Sequence, residues 1–561
     1  MDLNLLLTKG YFPEELLPPF TTEDLAIVKD EIVTSLAIFD PINRRDKVTT
    51  KMMSFSIPKI KGYRRTLGIP HPLLFARLAH TITTNWVAIE SYCNRSPISL
   101  SKIKTRPGAQ RAVLKPSFND ITREKVIRST GNRFLLKIDI AKFYNSIYTH
   151  SIPWALHTKA ASKVERRRSI LFGNGLDEDA RRMQDGQTIG LPIGPDTSRI
   201  ISEIILTAID KEIEADLGYL NGVRVVDDYH LYFRSTGELE KGRAIVHRVL
   251  KGYELELNQS KEHLLELPEI IESEWFSEIR EFNFRNKWNY QRIDLITYFD
   301  TVISYTRKFP EDIVMTYAMS KLRFTVFNLK NWKILQSLMM NALLIEPKIL
   351  PYVAQNLVSY HQKAYPINIP VITEALVQFI EYHLSLLNDF EVAWALWIAK
   401  ALKLTLPAAL GRTLSNNYNP IVVLISLDLH QEALLPGVDK TGWERLLTAN
   451  ELYTEHWLIA YEGYRLGWLN NAIDHVSTDP FFKLLKDNNV AFYKPDRTLD
   501  ISKVRVTSMP EGYFEPEDDD HDNNESESVF ASVTPPTIDE VLTAFIPPEI
   551  PSLPDDDDLP F

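Results

Sequence analysis

The stretch Arg224-Val225-Val226-Asp227-Asp228-Tyr229-His230-Leu231-Tyr232-Phe233 decides how the rest of the chain is read. Two adjacent carboxylates stand between short runs of β-branched and aromatic residues, the pattern of two strands joined by a tight, exposed turn with both acids at its tip. Neighbouring carboxylates repel, so a fold that points both the same way implies a cation to hold them. An Asp-Asp pair also occurs as plain turn chemistry, because these side chains bond to nearby backbone.

A second stretch upstream weighs between these readings. Phe134-Leu135-Leu136-Lys137-Ile138-Asp139-Ile140-Ala141-Lys142-Phe143-Tyr144-Asn145-Ser146-Ile147 reads as an apolar strand that ends in one carboxylate and turns into a helix. Asp139 lies roughly 90 residues before Asp227, so the acids meet only across adjacent strands of one sheet. Three carboxylates gathered there would bind two hard divalent cations through oxygen, the arrangement that clamps the attacking and leaving oxygens of a phosphoryl transfer. Mg²⁺ is the natural candidate, with Mn²⁺ as its substitute.

Between the two stretches, Gly190-Leu191-Pro192-Ile193-Gly194-Pro195-Asp196-Thr197-Ser198-Arg199-Ile200-Ile201-Ser202-Glu203 reads as a loop entering a helix. Together the three resemble the palm of reverse transcriptases. In that resemblance Asp139 is the acid of the first palm motif, and Asp227 and Asp228 are the paired acids of the Tyr-x-Asp-Asp box. The loop holds template and incoming nucleotide, with Pro192 and Gly194 at nucleotide-binding positions. The resemblance implies Asp139, Asp227 and Asp228 as catalytic metal ligands, joined by the backbone of Ile140. Two positions depart from it: Val225 stands where most relatives have Tyr, and Ile193 where most have Gln. Losing that Gln removes a polar contact near nucleotide and template, which touches on copying fidelity and on templating itself.

The same resemblance extends outward from the palm. Ile57-Pro58-Lys59-Ile60-Lys61-Gly62-Tyr63-Arg64-Arg65-Thr66-Leu67-Gly68-Ile69-Pro70-His71-Pro72 reads as a basic hairpin between two strand-like pieces. Arg65 matches the fingers Arg that closes over the triphosphate, and a planar guanidinium suits bidentate phosphate contact. Lys59 or Lys61 would add point charge there, although a basic run is also an ordinary solvated face. Tyr144 matches the aromatic gate beside the nucleotide sugar; the alternative is a packed aromatic. In Tyr253-Glu254-Leu255-Glu256-Leu257-Asn258-Gln259-Ser260-Lys261-Glu262 the family's next palm element is matched, which makes Lys261 the candidate general acid toward the departing pyrophosphate, against the alternative of a surface Lys. Lys102, Lys104, Arg106, Arg111, Lys115, Arg123, Lys125, Arg128 and Arg133 offer a phosphate-tracking surface for template or product. The run from Lys163 to Arg168, with Arg181 and Arg182, serves likewise or forms exposed helix.

The chain has 561 residues, 44% hydrophobic and 24% charged, enough for a sizeable core and more than one domain. No apolar run is long enough to span a bilayer, and the start lacks a basic-then-apolar secretory pattern. The single cysteine, Cys93, rules out an intrachain disulfide and fits a reducing cytoplasm, and no Cys/His cluster suggests zinc. The net charge of −11 is at odds with a nucleic-acid partner until the tail is set aside. Residues 511–561 hold 16 acids and no Lys or Arg, which leaves about +5 for residues 1–510.

Four parts follow: an N-terminal arm (1–50), fingers and palm (51–280), a helical region (281–508) and an acidic, disordered tail (509–561). In the arm a Pro-punctuated stretch precedes a capped helix from about Thr22. Beyond residue 290, apolar residues recur at helical spacing in solenoid-like helix pairs, with Trp394, Trp397, Trp443, Trp457 and Trp468 read as core. The tail has low hydrophobicity, and residues 538–546 within it read either as a short docking helix or as part of a solubilising tail.

Residues 9–22 and this architecture resemble bacterial abortive-infection and other defence-associated reverse transcriptases. The implied fold is α+β, a right-hand fingers and palm on an antiparallel sheet, followed by an all-α HEAT-like helical-repeat domain. The implied activity is addition of dNTPs by RNA-directed DNA polymerase chemistry, in antiphage defence. Partners implied are dNTPs and nucleic acid, RNA template or DNA product, together with a partner protein or phage trigger, and no membrane. Some relatives synthesise DNA without a template, prime it from their own protein so that product stays covalently attached, and assemble into oligomers. The reading from outside the enzymes is a helical scaffold that senses a phage protein over an inert palm.

Overall fold

The computed structural model describes residues 1–39, 48–59, 62–106, 108–500 and 504–506. Lys61, residues 538–546 and the whole acidic tail lie outside the described residues.

β1 (Met53–Pro58) and β2 (Arg64–Ile69) pair antiparallel from Met53↔Ile69 to Pro58↔Arg64, forming the expected basic hairpin. The second sheet has four antiparallel strands in the order β4-β5-β3-β6: β3 is Phe134–Ile138, β4 Gly222–Val225, β5 Asp228–Phe233 and β6 His263–Glu266. Every residue of β5 is buried, because β3 and β4 flank it in the sheet and helices cover it. Helix Thr236–Gly252 packs on β3 and β5, and helix Phe118–Ser129 on β4 and β5. Gly242 sets the first approach: a Cβ there would come within 2.5 Å of the Phe233 ring. β6 is the exposed edge and ends in Glu266, a charge that discourages pairing with another chain.

After β6 the described residues are helical, from Glu274–Glu281 to Pro480–Asp487, so the fold is mixed α+β with a helical C-terminal region. Trp394, Trp397, Trp443 and Trp457 are buried, and Trp468 packs half-buried against the Tyr493 ring, in keeping with their reading as core.

One contiguous apolar core runs through the N-terminal segment, the sheet and the helical region. Tyr11 stacks on Phe75 at 4.1 Å and meets the edge of Phe492 at 6.5 Å. Phe20 pairs antiparallel with Tyr493, fixed by Thr21 N–H to the Phe492 carbonyl (3.0 Å) and Lys494 N–H to the Pro19 carbonyl (2.8 Å). Arg64 of the hairpin grips Glu391 of helix Asp389–Ala401 with both guanidinium arms, the longer bond 3.0 Å. The capped helix expected from Thr22 begins instead as a 3-10 turn, Glu23–Val28, because the Thr22 hydroxyl donates to the Thr8 carbonyl at 3.0 Å and caps nothing.

Candidate active site

The pairing of Val225 with Asp228 leaves Val226 and Asp227 as a two-residue turn. Val226 has φ +51°, a conformation that a β-branched residue adopts only under constraint. Two side chains supply it. The Ser101 hydroxyl accepts the Val226 N–H at 2.9 Å, and the Arg224 guanidinium donates to the Val226 carbonyl at 3.1 Å. Arg224 is wholly buried and forks into Glu203 (3.0 Å on both arms) and Asp210 (2.9 Å), with Ser96 donating to Asp210 at 2.6 Å. Burial opposes the guanidinium charge, and these two acids hold it in place.

This scaffold corrects the expectation of an exposed turn: Asp227 and Asp228 are 3% and 5% exposed. The apolar side chains around the acids, and the buried Arg224 beneath them, draw the tip into the body.

β3 and β5 pair as far as Ile138↔Tyr229, so Asp139 and Asp228 are the next residues on neighbouring strands. Asp139 is 8% exposed and accepts a hydrogen bond from the Lys261 ammonium at 2.5 Å. Burial pulls the Lys261 pKa down, but the bond and charge of Asp139, with the charges of Asp228 and Asp227, hold it above its ordinary value. Ile140 bridges Leu257 through its neighbours' groups, Ala141 N–H to Glu256 (2.8 Å) and Asn258 N–H to Asp139 (2.8 Å), so this bridge does not use the Ile140 carbonyl.

Among the described residues no three His, Cys, Asp or Glu side chains converge as the ligands of a single ion. Asp139 and Asp228 stand at the ends of two strands with Asp227 in the adjoining turn, and the Lys261 charge faces all three. Their donor chemistry, carboxylate and carbonyl oxygen without thiol or imidazole, fits a hard divalent cation.

Five residues past Asp139, Tyr144 lines a cleft with Arg65, Ile193 and Gly194. Arg65 is buried, and Tyr144 is buried with its hydroxyl 3.5 Å from the Ser202 hydroxyl. Arg111, Lys115 and Arg199 add positive charge to the walls; Glu14, Glu15 and Asp196 oppose it. Lys115 pairs with Glu14 at 2.8 Å, and Arg111 holds Asp196 (2.8 Å), the Gly194 carbonyl (2.9 Å) and the Phe12 carbonyl. Gly194 has φ +122°, and a Cβ there would meet Pro13 at 2.6 Å, so the N-terminal segment lies directly against the loop. Pro192 packs on Gly68 beside the cleft, while Lys59 sits at the hairpin end and is not part of its wall.

Several cations read as a phosphate-tracking surface have other work. Lys125 is buried: desolvation and then the charge of Lys137 hold its ammonium well below the ordinary value, against the pull of Glu269 and Asp228. Arg111 and Lys115 turn into the cleft, and Arg128 donates to the Pro97 and Gly222 carbonyls, both at 2.9 Å. Arg168 is tied to Asp179, and Arg182 to the Val48 carbonyl. Lys104, Arg106, Arg123 and Arg133 remain exposed. Arg224, Glu14 and Asp196 were given no role by sequence reasoning, since their partners lie 14 to 101 residues away and nothing local marks the pairing.

This geometry belongs to a known class. Residues 75–315 match the family model described as Reverse transcriptase (RNA-dependent DNA polymerase), and this part of the chain is a reverse transcriptase domain. The enzyme class that goes with it is RNA-directed DNA polymerase, a nucleotidyltransferase. Similar solved structures include apo telomerase from Candida tropicalis, at 12% identity and TM-score 0.29, covering 72% of this chain and 73% of that one. Telomerase from Candida albicans in complex with a fragment of telomeric RNA is 14% identical at TM-score 0.28, covering 71% and 70%. The C. tropicalis enzyme truncated of its C-terminal domain gives 13% and 0.30, covering 44% of this chain, which spans 56% of that one. No curated protein matches the sequence. Among the described residues no helix is long and apolar enough to cross a membrane.

Proposed function

We propose that the chain is a metal-dependent DNA polymerase of reverse transcriptase type that extends a primer hydroxyl with dNTPs and acts in bacterial antiphage defence. The observation that carries the reading is the register of β3 on β5, by which Asp139 and Asp228 follow the last strand pair side by side, with Asp227 in the adjoining turn. Asp139, Asp227, Asp228 and the Ile140 carbonyl would hold two Mg²⁺ ions, or Mn²⁺ in their stead. When bound, the ions neutralise phosphate charge and make the primer hydroxyl a better nucleophile.

Arg65 would take phosphate oxygens through its planar fork, with Lys59 and Lys61 of the hairpin adding point charge. The Tyr144 ring would fill the space of a ribose 2′-hydroxyl, and Pro192 and Gly194 would shape the cleft beside the nucleotide. Lys261, at hydrogen-bond distance from Asp139, would give a proton to the leaving pyrophosphate. Catalysis rests on positioning and charge neutralisation. The defence role is supported by the resemblance of residues 9–22 and by the helical region that follows the palm.

A second reading, template-independent synthesis primed by a protein hydroxyl, is favoured by Ile193, an apolar side chain in the cleft wall where a polar contact would serve templating. One experiment tests both. Purified protein is given each labelled dNTP with Mg²⁺, with and without RNA, beside the Asp227→Asn/Asp228→Asn variant. The variant is expected to incorporate nothing and to melt no lower than the parent, since two repelling buried charges are gone. Full incorporation by the folded variant would sink the assignment of these acids, and full phage protection by a folded variant that incorporates nothing would favour the scaffold reading. Protease-sensitive label without RNA selects the protein-primed reading.

A further inference from the structure

Residues 283–292 read Asn-Phe-Arg-Asn-Lys-Trp-Asn-Tyr-Gln-Arg, with cations and aromatics interleaved and no acid among them. They lead into helix Trp288–Lys308, and Lys330 joins them from the first turn of helix Leu329–Leu343. The Arg292 guanidinium lies 5.1 Å and the Lys330 ammonium 4.8 Å from the centre of the Trp288 ring. Arg285 and Lys287 stand 4.8 and 5.9 Å from the centre of the Tyr290 ring.

The two rings therefore each carry a pair of cations, and Tyr290 is 44% exposed. Arg285 is neutralised by Asp294, which it holds through Nε at 3.0 Å. Among the described residues no carboxylate forms an ion pair with Lys287, Arg292 or Lys330. A cation against a ring, without an acid to cancel it, is a poor structural device on a surface, where such contacts are weak. It is well suited to a ligand that brings its own negative charge together with flat faces to stack.

We propose that this face of the helical region binds single-stranded nucleic acid, with bases against the Tyr290 and Trp288 rings and phosphates on Lys287, Arg292 and Lys330. Duplex DNA would satisfy the cations but hides its base faces, and an acidic peptide offers charge without flat faces. Both therefore use only half of what the surface presents. The site shares no residue with the proposed catalytic centre and stands or falls separately from it.

The test is fluorescence anisotropy on the full chain in EDTA, with labelled oligo(dT) and oligo(rU) of about twelve nucleotides, over a salt series. Tyr290→Ala is expected to weaken binding about tenfold, and Tyr290→Phe by less than about twofold, because stacking needs the ring and not the hydroxyl. Lys287→Ala with Lys330→Ala should flatten the plot of log affinity against log salt by about 0.7 for each phosphate no longer neutralised. The two oligonucleotides distinguish an RNA strand from a DNA strand. Unchanged affinity in Tyr290→Ala, an equal Tyr290 dependence for duplex DNA, or an equal one for oligo-glutamate overturns the proposal. The Tyr290 dependence of affinity is read in EDTA, with no divalent ion for polymerisation, so loss of polymerisation and loss of this surface remain separable. Tyr290 is exposed, and an unchanged melting temperature verifies each variant's fold.

Discussion

Arg224→Met puts the buried scaffold of the carboxylate turn to the test. The substitution keeps the length of the side chain and removes its charge, leaving Glu203 and Asp210, 2% and 0% exposed, without a counterion. Breaking a buried ion pair from one side costs about 3–5 kcal/mol. A domain is stable by only about 5–15 kcal/mol, so this is a large fraction of the whole. At about 3 kcal/mol per M of urea, the unfolding midpoint should fall by about 1 to 1.7 M. Adding Glu203→Gln and Asp210→Asn removes the stranded charges, and should return at least half of that drop. The turn is a separate matter. Val226 sits at φ +51°, at a cost of about 1–3 kcal/mol, and loses the guanidinium that holds its carbonyl. Primer extension should therefore stay at least about tenfold down in both variants, since each 1.4 kcal/mol of misplacement is worth a factor of ten. A wild-type midpoint for Arg224→Met would refute the triad as the support of this region. A wild-type extension rate in the triple variant would refute its hold on the turn.

Three further outcomes are expected. Glu14→Gln should remove one ion pair that holds Lys115 back from a triphosphate and lower the KM for dNTPs by up to about fivefold at constant kcat, the worth of an ion pair of about 1 kcal/mol; an unchanged KM in a nucleotide titration would mean the pair does not guard the cleft. Tyr144→Ala should lower discrimination against rNTPs by about 2–4 kcal/mol in relative kcat/KM, and Tyr144→Phe should change it little, because ring volume does the excluding; equal loss of dNTP and rNTP use would indicate a packing defect. His71 accepts from Leu73 N–H at 3.2 Å and bonds the Leu452 carbonyl at 2.9 Å, among the rings of Tyr453, Trp457, Phe481 and Phe482. Burial pushes its pKa down to about 3, so below pH 6.5 the unfolded chain binds a proton that the folded chain refuses. Stability should then fall by about 1.4 kcal/mol per pH unit as pH drops from about 6.5 toward 3. His71→Asn, scored by urea midpoints at pH 7 and pH 5, should flatten that slope; an unchanged slope would assign the acid sensitivity to other groups.

The palm was legible because its chemistry is local. A strand ending in Asp139 and a turn carrying Asp227 and Asp228 each show in a dozen residues, and only their meeting needed the sheet. The Trp-rich helices were legible for the same reason, since burial at helical spacing is written along one segment. What stayed hidden was long-range pairing of charges. Lys125 reads as one more cation in a basic run, yet it is buried near Asp228; Arg64 reads as solvated, yet it clasps Glu391 from 327 residues away. A charged side chain carries no mark of whether water or another residue will meet it. The turn reads as exposed for the related reason that nothing in the sequence marks Arg224, just before it, as the wholly buried partner of Glu203 and Asp210.

The pairing of Phe20 with Tyr493 has a consequence for how the chain is made. Synthesis is vectorial, at roughly 5–20 residues per second, so the partner of residue 20 emerges roughly half a minute to a minute and a half after it. Through that interval Tyr11, Phe12 and Phe20 lack the aromatic neighbours at Phe492 and Tyr493 that complete their burial. The beginning of the chain is thus among the last parts to reach its final place, and a ribosome that stalls before residue 490 leaves an aromatic N-terminus waiting for a partner that never arrives.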